Sequence, residues 1–141
     1  MKKYENVKID IVVPPYSGHL YPILELIKPL LKEEKYDICI YTGAQRKMFL
    51  KNMGIKCKVV LEDRPTFFED VANTAEKTNA FVSYSQFKKN LKVIPDIVKE
   101  LELGFKERNP DIIVADFVAV PAGVIAKKMG INKIKTSQTI L

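Results

Sequence analysis

Residues 7–31 read VKIDIVVPPYSGHLYPILELIKPLL, and the fold turns on the change of period inside this stretch. Val7 to Val13 is rich in β-branched residues and stops at Pro14-Pro15, which cannot donate to a strand ladder, so it reads as a buried strand. Then Leu20, Ile23, Leu24, Ile27, Leu30 and Leu31 recur at helical spacing, with Pro22 in the first turn, where its missing N–H breaks no bond. Pro29 comes late in that helix and is expected to kink it or shift its end.

The alternation continues along the chain. Asp37 to Thr42 is a second strand, Gly43 a turn, Ala44 to Met53 a helix capped by Gly54, and Ile55 to Leu61 a third strand. Glu62 to Tyr84 is less regular and reads as loop and short helix. Gln86 to Arg108 reads as a long helix interrupted at Pro95, with Asp96 capping its second half and Asn109-Pro110 ending it. Asp111 to Ala115 is a fourth strand, Phe117 to Met129 a helix capped by Gly130, and Ile131 to Ser137 a fifth strand. Strands alternating with helices predict a parallel sheet. Right-handed crossovers with helices on both faces make it a Rossmann-like, doubly wound α/β fold with strand order 3-2-1-4-5.

A chain of 141 residues is expected to form one domain around one core. Cys39 and Cys57 lie in apolar strand-like runs without metal-ligand spacing, so both are expected to be reduced core thiols, which points to the cytoplasm. No apolar run approaches the ~18 residues that cross a bilayer, so any membrane contact is expected to be peripheral. The formal charge of +6 is carried by two acid-free segments, Arg46 to Leu61 and Phe117 to Leu141. In the expected topology these occupy opposite edges of the sheet, whereas a nucleic-acid partner wants one continuous basic face.

Ligands of doubly wound sheets bind beyond the carboxyl ends of the strands, where the strand order reverses. Here that means Pro14 to His19 after the first strand and Asp116 to Pro121 after the fourth. The first loop lacks the three glycines of a dinucleotide fingerprint, and the second strand ends in Thr42-Gly43 without an acid to hold a ribose. What the loop does hold is the only histidine in the chain, His19, opposite Asp116 on the neighbouring strand. Tips of adjacent strands lie about 4.8 Å apart, within hydrogen-bonding reach of two side chains. A carboxylate on one imidazole nitrogen fixes the tautomer and leaves the other as a general base for a substrate hydroxyl. Singly, each residue has a plainer reading: His19 as a cap or solvated side chain, Asp116 as the cap of the next helix. Gly18 either allows a tight turn or lets a diphosphate approach the helix N-terminus.

The stretch IDIVVPPYSGHLYPILELIKPLL resembles the opening of the GT-B glycosyltransferases of family 1, whose first loop carries Gly-His followed by a proline and an amphipathic helix. NPDIIVADFVAVPAGVIAKKMGI resembles that family's fourth strand, aspartate and following helix, and the likeness runs loosely from Lys8 to Thr139. The resemblance implies inverting transfer of a sugar from a nucleotide diphosphate donor, such as a UDP-sugar, to a hydroxyl of a small acceptor. No metal is implied, and the nucleotide sugar serves as co-substrate. His19 would deprotonate the acceptor and Asp116 would orient and charge-balance it. Ser17 and Gly18 would face the donor phosphates. Tyr16, Phe67, Phe68, Phe81, Tyr84 and Gln138 would line the acceptor site, though the four aromatics after the third strand read equally as ordinary core. Family members have a second Rossmann-like domain that binds the donor. The chain is therefore expected to be an acceptor-side half needing a donor-binding domain or separate subunit, inactive alone. The competing reading is a module that binds a ligand or partner without chemistry.

Overall fold

The computed structural model describes residues 6–75, 79–116 and 120–136. Five parallel strands, β1 (Val7–Val12), β2 (Tyr36–Thr42), β3 (Lys56–Val59), β4 (Ile112–Asp116) and β5 (Asn132–Thr136), form one sheet in the order β3-β2-β1-β4-β5. The helices are α1 (Ser17–Leu31), α2 (Lys47–Asn52), α3 (Phe67–Ala75), α4 (Ala80–Arg108) and α5 (Val120–Met129).

Strand alternation divides the core into two layers. Ile9 and Ile11 of β1, with Ile38 and Ile40 of β2 and Val114 of β4, pack beneath Leu20, Ile23, Leu24 and Ile27 of α1 and Leu50 of α2. Val12, Cys39, Tyr41, Ile113 and Ala115 point the other way and meet Val93, Leu101 and Phe105 of α4 and Ala122, Ile125 and Ala126 of α5. The register sets Cys57 beside Ile40, on the face opposite Cys39. Both thiols are free, and burial pushes that of Cys39 up to about 11.

Several boundaries differ from the sequence reading for local reasons. The expected helix over residues 44–53 begins as a 3₁₀ turn, Ala44–Arg46, and becomes α-helical only from Lys47. Pro29 lies within α1, which runs on to Leu31. The irregular segment after β3 contains α3, and α4 starts six residues before the expected Gln86, capped by the Asn79 side chain accepting from the Phe81 N–H.

The interruption expected at Pro95 is absent, since α4 is continuous over 29 residues. Asp96 caps nothing: it accepts from Arg64 Nη2 at 2.9 Å, while Glu100 accepts the N–H of Leu61. Leu61 is buried with φ at 57°, a left-handed conformation costing about 1–2 kcal/mol that the Glu100 bond helps to hold. Gly54 and Gly130 close their helices at φ of 73° and 70°, as expected. The expected helix start at Phe117 and strand end at Ser137 lie outside the described residues.

Candidate active site

The strand order reverses between β1 and β4, and the candidate site lies at the carboxyl ends of these two strands. After β1 the chain turns through Pro14-Pro15 into α1, whose N-cap is Tyr16 in an extended conformation. The Tyr16 carbonyl accepts from the N–H groups of His19 and Leu20, which starts the helix and leaves the Ser17 and Gly18 N–H groups at its leading end without a bond among the described residues. No acidic residue occupies that first turn and no side chain caps it. His19 is the third residue of α1, not its cap.

From this position the imidazole reaches Asp116, the last residue of β4. Nδ1 lies 3.1 Å from each carboxylate oxygen. The Asp116 side chain is fully buried, whereas that of His19 keeps 22 % of its surface exposed. A carboxylate offers only lone pairs, so Nδ1 is the donor of this bond, which in the neutral ring leaves Nε2 as the acceptor. Whether Asp116 also caps the next helix turns on residues 117–119, which lie outside the described residues. Two residues 97 positions apart meet because parallel pairing of β1 with β4 brings their ends together.

Tyr16 and Phe68 build a wall beside the imidazole. The Tyr16 ring stands edge-on to His19 at 6.1 Å and to Phe68 at 6.5 Å, and its hydroxyl donates to the Phe68 carbonyl at 2.9 Å. Burial raises the pKa of that hydroxyl above the ordinary phenol value. Phe67 packs edge-on against Phe68 at 5.3 Å, and both are partly buried against the α4-side core. Phe81 and Tyr84 are neither core nor joined to this wall by any ring contact among the described residues. They stand on the first turns of α4, 86 % and 58 % exposed. Gln138 lies outside the described residues.

Sequence reading missed one part of this rim. Arg46, just after β2, donates from Nε to the Pro15 carbonyl at 2.8 Å and lies over the rings of Tyr21 and Phe49. It braces the first loop from the side, a role that no local pattern announces. Among the described residues no group of three His, Cys, Asp or Glu could hold a metal ion.

No family model matches the chain. It is 27 % identical over 135 residues, 96 % of its length, to the NDP-glycosyltransferase YjiC of Bacillus subtilis (strain 168), and spans about a third (32 %) of that relative. Its fold matches the calicheamicin glycosyltransferase CalG4 with a TM-score of 0.70 at 18 % identity, covering 94 % of this chain and 32 % of that one. The spinosyn rhamnosyltransferase SpnG, solved with thymidine diphosphate, matches with a TM-score of 0.63 at 13 % identity, covering 94 % and 35 %. Taken with the Gly18-His19 loop and the β4 aspartate, these likenesses identify a domain similar to the N-terminal domain of the family 1 GT-B glycosyltransferases.

Proposed function

We propose that the chain is the acceptor-side half of an inverting glycosyltransferase, with His19 as general base and Asp116 as its orienting partner. The observation that carries this reading is the Nδ1 of His19 held 3.1 Å from both oxygens of a fully buried carboxylate at the point where the strand order reverses. The acceptor hydroxyl passes its proton to Nε2 as its oxygen attacks the anomeric carbon from the face opposite the leaving group. The new C–O bond forms as the bond to the donor phosphate breaks, and the nucleoside diphosphate departs with that electron pair. Asp116 stabilises the imidazolium so formed. The thymidine diphosphate held by SpnG supports a nucleotide diphosphate sugar as co-substrate.

Within this reading Tyr16, Phe67 and Phe68 form one wall for the acceptor, and Phe81 and Tyr84 supply further apolar surface. Gln138 is retained as an acceptor contact by resemblance alone. Ser17 and Gly18 present their N–H groups toward the donor phosphates, where the positive end of α1 favours an anion. The donor itself is bound by a second domain or subunit, consistent with the chain spanning about a third of the relatives it matches. General base catalysis supplies about 10²–10⁴ of rate, far below the ~10⁶ or more typical of enzymes, so the half alone should not turn over.

The test uses a protein completed with a donor-binding domain. His19→Ala should abolish transfer while acceptor affinity persists, and retained turnover would remove His19 from the chemistry. The non-catalytic module predicts instead that ligand affinity is indifferent to His19 and that no completed form transfers sugar.

A further inference from the structure

We propose that the N-terminal half of α4 is a docking helix for an anionic lipid surface. At 1.5 Å per residue a helix of 29 residues is about 43 Å long, more than twice the ~17 Å of a five-residue strand. Its C-terminal end is tied to the body: the Arg108 carbonyl accepts from Lys8, and Glu100 holds Leu61 just past β3. Residues 80–95 lie N-terminal to these ties, and of them only Val93 is buried in the core.

Among the described residues one apolar face of this stretch is left largely uncovered. Tyr84, Phe87, Leu91 and Ile94 recur at intervals of three, four and three residues, an arc of about 80° at 100° per residue. They are 58, 56, 51 and 41 % exposed. Farther along α4 Phe105 falls in the same arc and Leu101 about 20° beyond its edge, and both are buried in the core. α3 covers only the adjoining flank, where Thr74 meets Gln86. A row of large apolar side chains at this exposure is unusual for a surface helix and calls for an occupant.

Charge selects the occupant. Residues 80–95 contain Lys88, Lys89 and Lys92 and no acidic residue. Lys88 and Lys92 lie on the flank of the apolar arc opposite α3, with the Lys88 ammonium 4.9 Å from the Tyr84 ring centre. Apolar side chains bordered by lysines suit a helix lying in a bilayer interface, its rings among the acyl chains and its ammonium groups at anionic headgroups. A second copy of the chain would set these lysines against their own kind.

The whole chain lacks tryptophan, so Phe87→Trp introduces a single fluorescent reporter. Vesicles of phosphatidylcholine containing about 30 % phosphatidylglycerol should shift its emission to the blue and carry the unlabelled chain into the pellet, and added salt should weaken this. Phosphatidylcholine alone should bind far less. K88Q/K92Q should lower partition about 30-fold, roughly fivefold per lysine. Leu91→Glu should abolish partition with an unchanged circular dichroism melt, since the side chain is half exposed. Equal binding to neutral vesicles, indifference to the lysines or to Leu91→Glu, or a soluble dimer broken by Leu91→Glu without vesicle binding would each overturn the proposal. It shares Tyr84 with the proposed acceptor surface but not His19: a failure here leaves the His19 reading intact, and a failure of that reading does not touch the vesicle result.

Discussion

Two buried carboxylates on the neighbouring central strands each hold a basic side chain from a helix, and they differ in how completely they are enclosed. Asp10, on β1, is fully buried and accepts from Arg108 Nε and from the Tyr41 hydroxyl, both at 2.6 Å. Arg108 turns its remaining arms to the carboxylate and carbonyl of Asp37, and its side chain is 12 % exposed. Even the approach of Tyr41 is prepared, because a Cβ on Gly104 would fall 2.6 Å from its ring. Asp116, on β4, is as deeply buried but holds a histidine through one nitrogen, and that histidine reaches solvent. The first cluster pairs a guanidinium that never deprotonates with acceptors inside the fold, as a structural lock would. The second joins a group that can exchange protons to a rigid anchor, as catalysis requires.

The largest effect expected from breaking this contrast is on turnover. His19→Gln keeps an N–H that can reach Asp116 and removes the base. In a donor-completed protein it should lower the transfer rate about 10²–10⁴-fold, with urea-unfolding stability within about 1 kcal/mol of the parent. A variant that loses its fold along with its activity would make the rim pair a second lock.

Arg108→Ala should do the opposite. It leaves Asp10 buried without its cation, a loss of about 3–5 kcal/mol, which is a large share of the ~5–15 kcal/mol that a domain commands. Denaturant unfolding reads this directly, and turnover per folded molecule should not change. A parent-like unfolding midpoint would show that Tyr41 alone suffices to hold Asp10.

The two regions were unequally legible in the sequence, for the same physical reason that they differ in the fold. His19 and Asp116 could be paired because topology fixes where strand ends meet, and each residue sits at such an end. Asp10 is a charge within the apolar run of β1, but its partner Arg108 lies 98 residues away at a helix terminus that no pattern aims at β1. Pro95 was misread because a proline frees only the carbonyl four residues earlier. Here both Leu91 and Pro95 are on exposed surface, where water can satisfy that group, and Arg64–Asp96 and Leu61–Glu100 fasten the helix just beyond. The exposure of Phe81 and Tyr84 was illegible for a related reason: composition marks apolar residues but not which stretch of a long helix the core covers.

Titration sharpens the contrast within the lock. Burial raises the Asp10 pKa above the ordinary carboxylate value by more than the Tyr41 and Arg108 bonds lower it. The folded state therefore holds that proton more tightly than the unfolded chain does. This contribution to stability is full below the unfolded value and is lost as pH rises through the folded one. Asp37 runs the other way. The hydrogen bond from Lys56 holds its carboxyl low, so its contribution is present at neutral pH and disappears on acidification. Guanidinium midpoints of the parent and Asp10→Asn, taken from about pH 3 to 7, should show the parent losing ground to the variant as pH rises. A parent that gains ground instead would mean that Arg108 outweighs burial.

The smallest effect concerns Gly18, beside the histidine. Its φ is not left-handed, and a Cβ there would meet nothing within 4 Å among the described residues, so neither a tight turn nor internal packing calls for glycine. Alanine favours a helix interior by about 1 kcal/mol over glycine, and by less in the first turn, so Gly18→Ala should raise stability by a few tenths to about 1 kcal/mol. A residue that gives up stability without an internal reason fits a surface that something else must approach. If that something is the donor diphosphate, Gly18→Ala in the completed protein should raise KM for the nucleotide sugar severalfold, leave acceptor affinity alone and raise the unfolding midpoint. An unchanged KM alongside the gain in stability would remove Gly18 from the donor site.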